Sequence, residues 1–143
     1  MPTLPRVLVV EDDPAIRALL VSALQRAGLD VDVANDGVAA LERMESSEYA
    51  VLLVDLMMPR MSGFDFIEAL PALPLRVKPV VFVMSAFDDA AFRQLDPTLV
   101  HGCVRKPFDV EQVVEVVRDC ANLLHDGHPL AGGAAGDRRP NVH

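Results

Sequence analysis

Short unbroken apolar runs alternate along the chain with longer stretches in which apolar residues recur at helical spacing. Val7-Leu8-Val9-Val10, Ala50-Val51-Leu52-Leu53-Val54 and Val80-Val81-Phe82-Val83-Met84 are runs of the first kind. Short runs of this kind, bounded by polar residues, predict strands covered on both faces. Val31 and Val33 alternate with acids, which predicts a second strand nearer an edge. Cys103-Val104-Arg105 predicts a brief fifth strand. Between the first two strands, Ile16, Leu19, Leu20, Ala23, Leu24 and Ala27 fall at helical spacing. Asp13 is placed to cap that helix, Pro14 sits in its first turn without losing a hydrogen bond, and Gly28 closes it. Asn35-Asp36-Gly37 is turn and cap chemistry ahead of a short helix to about Met44. After the loop from Pro59 to Gly63, a helix from about Phe64 runs into Pro71, and Pro71 with Pro74 breaks it. A helix from about Asp88 is cut short by Pro97. The last helix carries the stripe Val110, Val113, Val114, Val117, Ala121 and Leu124, with Asp109 and Gln112 spaced as a capping box.

Five strand–helix units with short links predict a parallel sheet wrapped by helices, because parallel neighbours need a helical crossover. All strand ends then share one edge, where open α/β sheets place their ligands. The residues that follow the strands are Glu11-Asp12-Asp13, Asp55, Ser85 and Lys106. Three acids (Glu11, Asp12 and Asp55), one hydroxyl and one amine therefore converge on one crevice. A carboxylate directly after five apolar residues is costly unless it has a role, and this singles out Asp55. Asp13 is assigned to the helix cap.

The 143 residues suit a single domain over 1–125, followed by a Gly, Ala and Pro-rich tail or linker over 126–143. A hydrophobic content of 51% is that of a globular chain. The net charge of −8 argues against nucleic acid, whose phosphates need a basic surface, and favours protein partners or a small cation. No apolar run is long enough to span a bilayer, and Met1 to Arg6 has no secretory leader, so a cytoplasmic location is expected. Cys103 and Cys120 fit no metal spacing and are read as reduced thiols. The histidines form no site, and His101 is a lone loop histidine.

Four segments in this order, each at a strand end, resemble the receiver domain of two-component response regulators. They are Val7-Leu8-Val9-Val10-Glu11-Asp12-Asp13, Val54-Asp55-Leu56-Met57-Met58-Pro59 with Ser62-Gly63, Met84-Ser85-Ala86, and Lys106-Pro107-Phe108. The resemblance covers roughly residues 6–125. It implies a chemotaxis-regulator-like, flavodoxin-like (βα)5 fold, doubly wound, with a five-stranded parallel sheet in the order 2-1-3-4-5. It implies that Asp55 accepts a phosphoryl group from a histidine kinase or histidine phosphotransfer protein, and that phosphorylation governs binding to a downstream protein. Such a domain is a phosphoacceptor that assists its own phosphoryl transfer and dephosphorylation, not an enzyme acting on a separate substrate. The cofactor implied is Mg²⁺, with Mn²⁺ as a substitute. Its ligands would be Asp12, Asp55 and the Met57 backbone carbonyl, with Glu11 acting through a water. Lys106 would pair with one phosphoryl oxygen, and Ser85 would donate to another, as would the backbone N–H groups of Met57 and Ala86. The Lys106-Pro107 bond is expected to be cis. The physics suits these residue types. An anionic phosphoryl and a carboxylate repel, and a hard divalent cation bound by oxygens offsets that repulsion.

Three features depart from the family pattern. Cys103 stands where an aromatic switch residue is usual, Pro97 interrupts the fourth crossover, and Ala86-Phe87 sets an aromatic beside the site. Other functions remain in view. A phosphohydrolase with an aspartyl nucleophile would need a second Asp where Met57 stands. A flavin domain would need a polar phosphate loop where Glu11-Asp12-Asp13 stands. A receiver-like module that works without phosphate, and a receiver that is one part of a larger regulator, are the remaining alternatives.

Overall fold

The computed structural model describes residues 6–58, 60–85 and 95–125, with side chains through residue 121. Five strands form one sheet: β1 (Arg6–Val10), β2 (Asp30–Ala34), β3 (Val51–Asp55), β4 (Val80–Ser85) and β5 (Gly102–Arg105). All neighbours pair in parallel, in the order β2-β1-β3-β4-β5. The helices are α1 (Pro14–Arg26), α2 (Gly37–Ser46), α3 (Gly63–Ala69) with a 3-10 turn over Leu70–Ala72, and α4 (Val110–His125). The expected helix near Asp88 and the expected tail over 126–143 lie outside the described residues.

Alternate residues of the central strands feed two cores. Val7, Val9, Leu53, Phe82, Met84 and Val104 pack with Leu20 and Leu24 of α1 and with Val113, Val114 and Val117 of α4. Leu8, Val10, Leu52, Val54 and Val83 pack instead with Met44 of α2 and with Phe66 and Ile67 of α3. Burying both faces explains why these strands read as continuous apolar runs and not as alternating ones. Each fully buried Val, Leu or Phe contributes roughly 1.5–3 kcal/mol of transfer free energy.

The edge strand β2 is treated differently. Val31 and Val33 are half-buried against the first core. Its acids are held from the neighbouring elements: Arg6 donates to Asp30 at 2.9 Å, and the Tyr49 hydroxyl donates to Asp32 at 2.6 Å. Burial and the bond to Asp32 push the Tyr49 phenol up to about 12.

Caps set the helix ends. Asp13 accepts from Ala15 and Ile16 N–H at 2.9 and 3.2 Å, Asp36 from Ala39 at 2.8 Å, and Ser62 from Asp65 at 3.2 Å. At the end of α1, Leu29 N–H reaches Leu24 O and Gly28 N–H reaches Gln25 O, with Gly28 at φ 88°. That is the paired C-terminal closure in which a residue without a Cβ takes the left-handed position. Asp109 accepts from Glu111 N–H at 2.9 Å and so caps α4, while among the described residues no bond returns from Gln112. One apolar assignment fails. Leu19 is 50% exposed: among the described residues α1 packs chiefly on β1, β2 and α4, and position 19 lies outside that stripe.

Candidate functional site

The strand register explains why the acids meet. Val10 is paired with Val54, so Glu11 and Asp55 leave adjacent strands at the same level. Asp55 is paired with Met84 and Ser85 with Arg105, so Ser85 and then Lys106 each stand one residue further along the edge. The structure thus brings Glu11, Asp12, Asp55, Ser85 and Lys106 to one end of the sheet.

Glu11 is wholly buried, Asp55 and Ser85 are each 4% exposed, and Asp12 is half-buried. Glu11, Asp12 and Asp55 each offer a carboxylate oxygen within 4.8 Å of the others. The Lys106 ammonium donates to Glu11 Oε1 at 2.9 Å and lies 3.4 Å from Asp55 Oδ2. The other Glu11 oxygen accepts from Asp13 N–H at 3.1 Å. Met57 N–H donates to Asp55 Oδ1 at 3.1 Å, while the Met57 residue itself is 65% exposed at the mouth. Lys106 N–H donates to Ser85 O at 2.8 Å, tying the two later strand ends together. The Lys106–Pro107 peptide is cis. Ala86 and Phe87 lie outside the described residues.

The charges are in tension. Burial pushes the Asp55 carboxyl up to about 7; the Glu11 carboxylate beside it adds to the rise, and Lys106 and Met57 N–H oppose it. Burial lowers the Lys106 ammonium, but the Glu11 and Asp55 carboxylates outweigh it, so its pKa lies above the ordinary value. Among the described residues, Glu11 and Asp55 share the Lys106 ammonium, while Asp12 brings a third carboxylate to the same cluster. Such a set favours a second cation, and its all-oxygen donors fit a hard divalent ion such as Mg²⁺.

The loop after Asp55 is fixed at both ends. A Cβ on Gly63 would collide with Asp55 O and lie 2.8 Å from Leu56 Cα, so only glycine lets the start of α3 rest on that backbone. Further out, Arg60 in the left-handed region (φ 62°) pairs with the buried Asp36, and Gly37 N–H donates to Met61 O at 3.0 Å. The bond to Ala39 N–H, against the opposing effect of burial, and the pairing with Arg60 hold the Asp36 carboxyl below its usual range.

Residues 7–118 match the family described as the response regulator receiver domain. This chain is a receiver. Protein Rrf1 of Nitratidesulfovibrio vulgaris is 33% identical over 137 residues, covering 95% of this receiver and 96% of that protein. The transcriptional activator protein IrlR of Burkholderia pseudomallei is 35% identical over 114 residues, 79% of this receiver. The receiver spans 48% of that activator, and 12% of the sensor kinase CckA of Brucella abortus, to which it is 36% identical over 115 residues. Among solved structures, the chemotaxis protein CheY4 of Vibrio cholerae superposes with a TM-score of 0.75 at 26% identity, covering 82% of this receiver and 99% of that chain. The receiver family and the predicted sheet order are thus both found. Phosphorylation on aspartate is the general mechanism of this family, and its members work with histidine kinases and downstream targets. Among the described residues, no helix is long and apolar enough to cross a membrane.

Sequence reasoning missed three contacts. Arg17 donates to the backbone carbonyls of Glu11 at 3.0 Å and Asp12 at 3.5 Å. A cation one turn into the helix that follows an acidic loop was the available signal. The Asp36–Arg60 pair had no local signal, because the partners are 24 residues apart. His101 is structural: its Nδ1 accepts from Val81 N–H at 3.0 Å while its backbone N–H donates to Val81 O at 2.8 Å. Cys103 packs half-buried against the second core, and Cys120 is buried in the first, where burial pushes its thiol up to about 11.

Proposed function

We propose that Asp55 is the phosphoacceptor of a two-component receiver that takes its phosphoryl group from a histidine kinase or histidine phosphotransfer protein and signals by phosphorylation-dependent protein binding. The observation that supports this best is the meeting of Asp55 with Glu11, Asp12 and Lys106 at one sheet edge. Asp12, Asp55 and the Met57 carbonyl would hold Mg²⁺ directly, and Glu11 through a water. Once bound, the ion supplies positive charge that offsets the repulsion between the carboxylate and the incoming phosphoryl group.

The chain's own residues do the rest. An Asp55 oxygen forms the new O–P bond as the N–P bond of the donor phosphohistidine breaks and the imidazole keeps the electron pair. Met57 N–H, already on Asp55 Oδ1, holds the carboxylate in one orientation. Lys106 is shared between Glu11 and Asp55, so a small displacement carries its ammonium to a phosphoryl oxygen. The Ser85 hydroxyl donates to a second oxygen, which draws the end of β4 toward Asp55 and gives the phosphorylated state its own conformation. Catalysis here is positioning and charge stabilisation.

The test is labelling by a small phosphodonor with Mg²⁺, read by intact mass, on wild type and Asp55→Asn. One added phosphoryl group in wild type alone, and only with Mg²⁺, is the expected result. Labelling of Asp55→Asn, or none in folded wild type with several donors, would defeat the reading. Cys103 favours a second reading in one respect. A half-buried thiol lacks the reach of an aromatic switch, so this domain would bind its partner irrespective of phosphate. Partner binding that survives Asp55→Asn would support that alternative.

A further inference from the structure

We propose that Arg17 is a positioning residue of the cation site: its guanidinium grips the backbone of the acidic loop and so fixes the carboxylates of Glu11 and Asp12 relative to Asp55. The inference rests on the metal site of the proposed function. Arg17 lies in the first turns of α1, and helical side chains lean back toward the N-terminus of their helix. Its Nη1 thereby reaches Glu11 O at 3.0 Å and Asp12 O at the limiting distance of 3.5 Å. These are the carbonyls of the two loop residues whose carboxylates meet Asp55.

Three further observations give the contact weight. First, the chain has 21 acidic and 13 basic side chains, yet among the described residues no carboxylate pairs with Arg17, so its bonds go to the loop carbonyls. Second, the other side of Arg17 borders an open cavity of about 530 Å³ beside β2, shared with Asn35, Glu42 and Arg43. The other guanidinium there, Arg43, is engaged elsewhere, its Nε donating to Val33 O at 3.2 Å. Third, the rest of the loop is tied inward, with Glu11 N–H on Ala34 O at 3.0 Å and Asp13 N–H on Glu11 Oε2 at 3.1 Å. Arg17 supplies the hold from outside, and the loop is clamped between the two.

Charge and geometry make opposite predictions for this residue. A cation near the site repels Mg²⁺, so charge alone has Arg17→Met bind the ion more tightly. Positioning has it bind more weakly, because residues that orient metal ligands typically govern affinity by 10–100-fold. The experiment is calorimetric titration of Mg²⁺ into wild type, Arg17→Met, Arg17→Lys and the control Arg26→Met, whose own bond is to Ser22 on α1. Melting of each metal-free protein is followed alongside. The expected result is a roughly 10-fold or larger rise in Kd for Arg17→Met. A smaller rise is expected for Arg17→Lys, which keeps the charge but whose shorter side chain cannot hold both carbonyls as Nη1 does, and none for Arg26→Met. A Kd that is unchanged or tighter in Arg17→Met overturns the proposal, as does an equal loss in Arg26→Met. If Arg17→Met does not fold, Arg17→Lys decides: a weakened Kd with unchanged metal-free melting supports positioning, and an unchanged Kd overturns it. Wild type that binds no Mg²⁺ removes this inference together with the metal reading beneath it. Wild type that binds normally beside unaffected variants removes this inference alone.

Discussion

Asp55 is buried beside another carboxylate, and this makes the metal-free protein sensitive to pH. Its carboxyl is pushed up to about 7 in the fold, against about 3.9 in an unfolded chain. A raised acid stabilises the folded state fully below the unfolded value, and that contribution is lost as pH rises through the folded one. Metal-free stability should therefore fall between about pH 4 and pH 7. Asp55→Asn should flatten the fall and be more stable near pH 8, by on the order of 1–3 kcal/mol given the coupling to Glu11. Thermal melts across that range with chelator present check this. A parallel slope in both proteins would mean that the tension at Asp55 is not what sets it. Asp55 itself was legible in the sequence, as an acid ending an apolar run. Its electrostatic state was not, because that depends on Glu11 arriving from another strand.

At the scale of elements, the loop from Asp55 into α3 works through close backbone contact. Gly63 has no room for a methyl group, since its neighbours there are the Asp55 carbonyl and the Leu56 Cα rather than movable side-chain ends. Gly63→Ala should destabilise the fold by roughly 1–3 kcal/mol and also weaken phosphoacceptance, because relief of the clash moves the Asp55 backbone. Chemical denaturation and phosphodonor labelling together check both parts. Normal labelling in a destabilised protein would confine the glycine to packing. Element identities were largely readable because they follow from local spacing, caps and breakers. Asp13, Asp36, Ser62 and Asp109 all cap helices within three residues of themselves. Leu19 was misassigned for the complementary reason: helical spacing marks an apolar stripe, but only the neighbours decide how wide a stripe is covered.

For the whole molecule, the proposed metal site would make ion binding and folding one linked equilibrium. Mg²⁺ that binds only the folded site adds RT ln(1 + [Mg²⁺]/Kd), about 2.7 kcal/mol at one hundred times Kd. The melting temperature of wild type should climb with Mg²⁺ beyond an ionic-strength-matched monovalent salt, and Asp12→Ala should lose that excess. The control matters because a chain of net charge −8 gains some stability from screening alone. An equal rise in Asp12→Ala would move the effect from the site to the general surface.

By itself, the sequence determined the α/β class, the five strands and the caps at Asp13, Asp36 and Asp109, though not the one at Ser62. It also put acids, a serine and a lysine where strands end, since periodicity and turn chemistry act over a few residues. The tertiary structure alone decided which of these groups touch. Register sets Glu11 level with Asp55, Lys106 crosses 95 positions to reach Glu11, and Asp36 meets Arg60 across 24. Those distances along the chain are closed only by packing two cores against one sheet, which is why the tension at Asp55 and the grip of Arg17 became visible only in the fold.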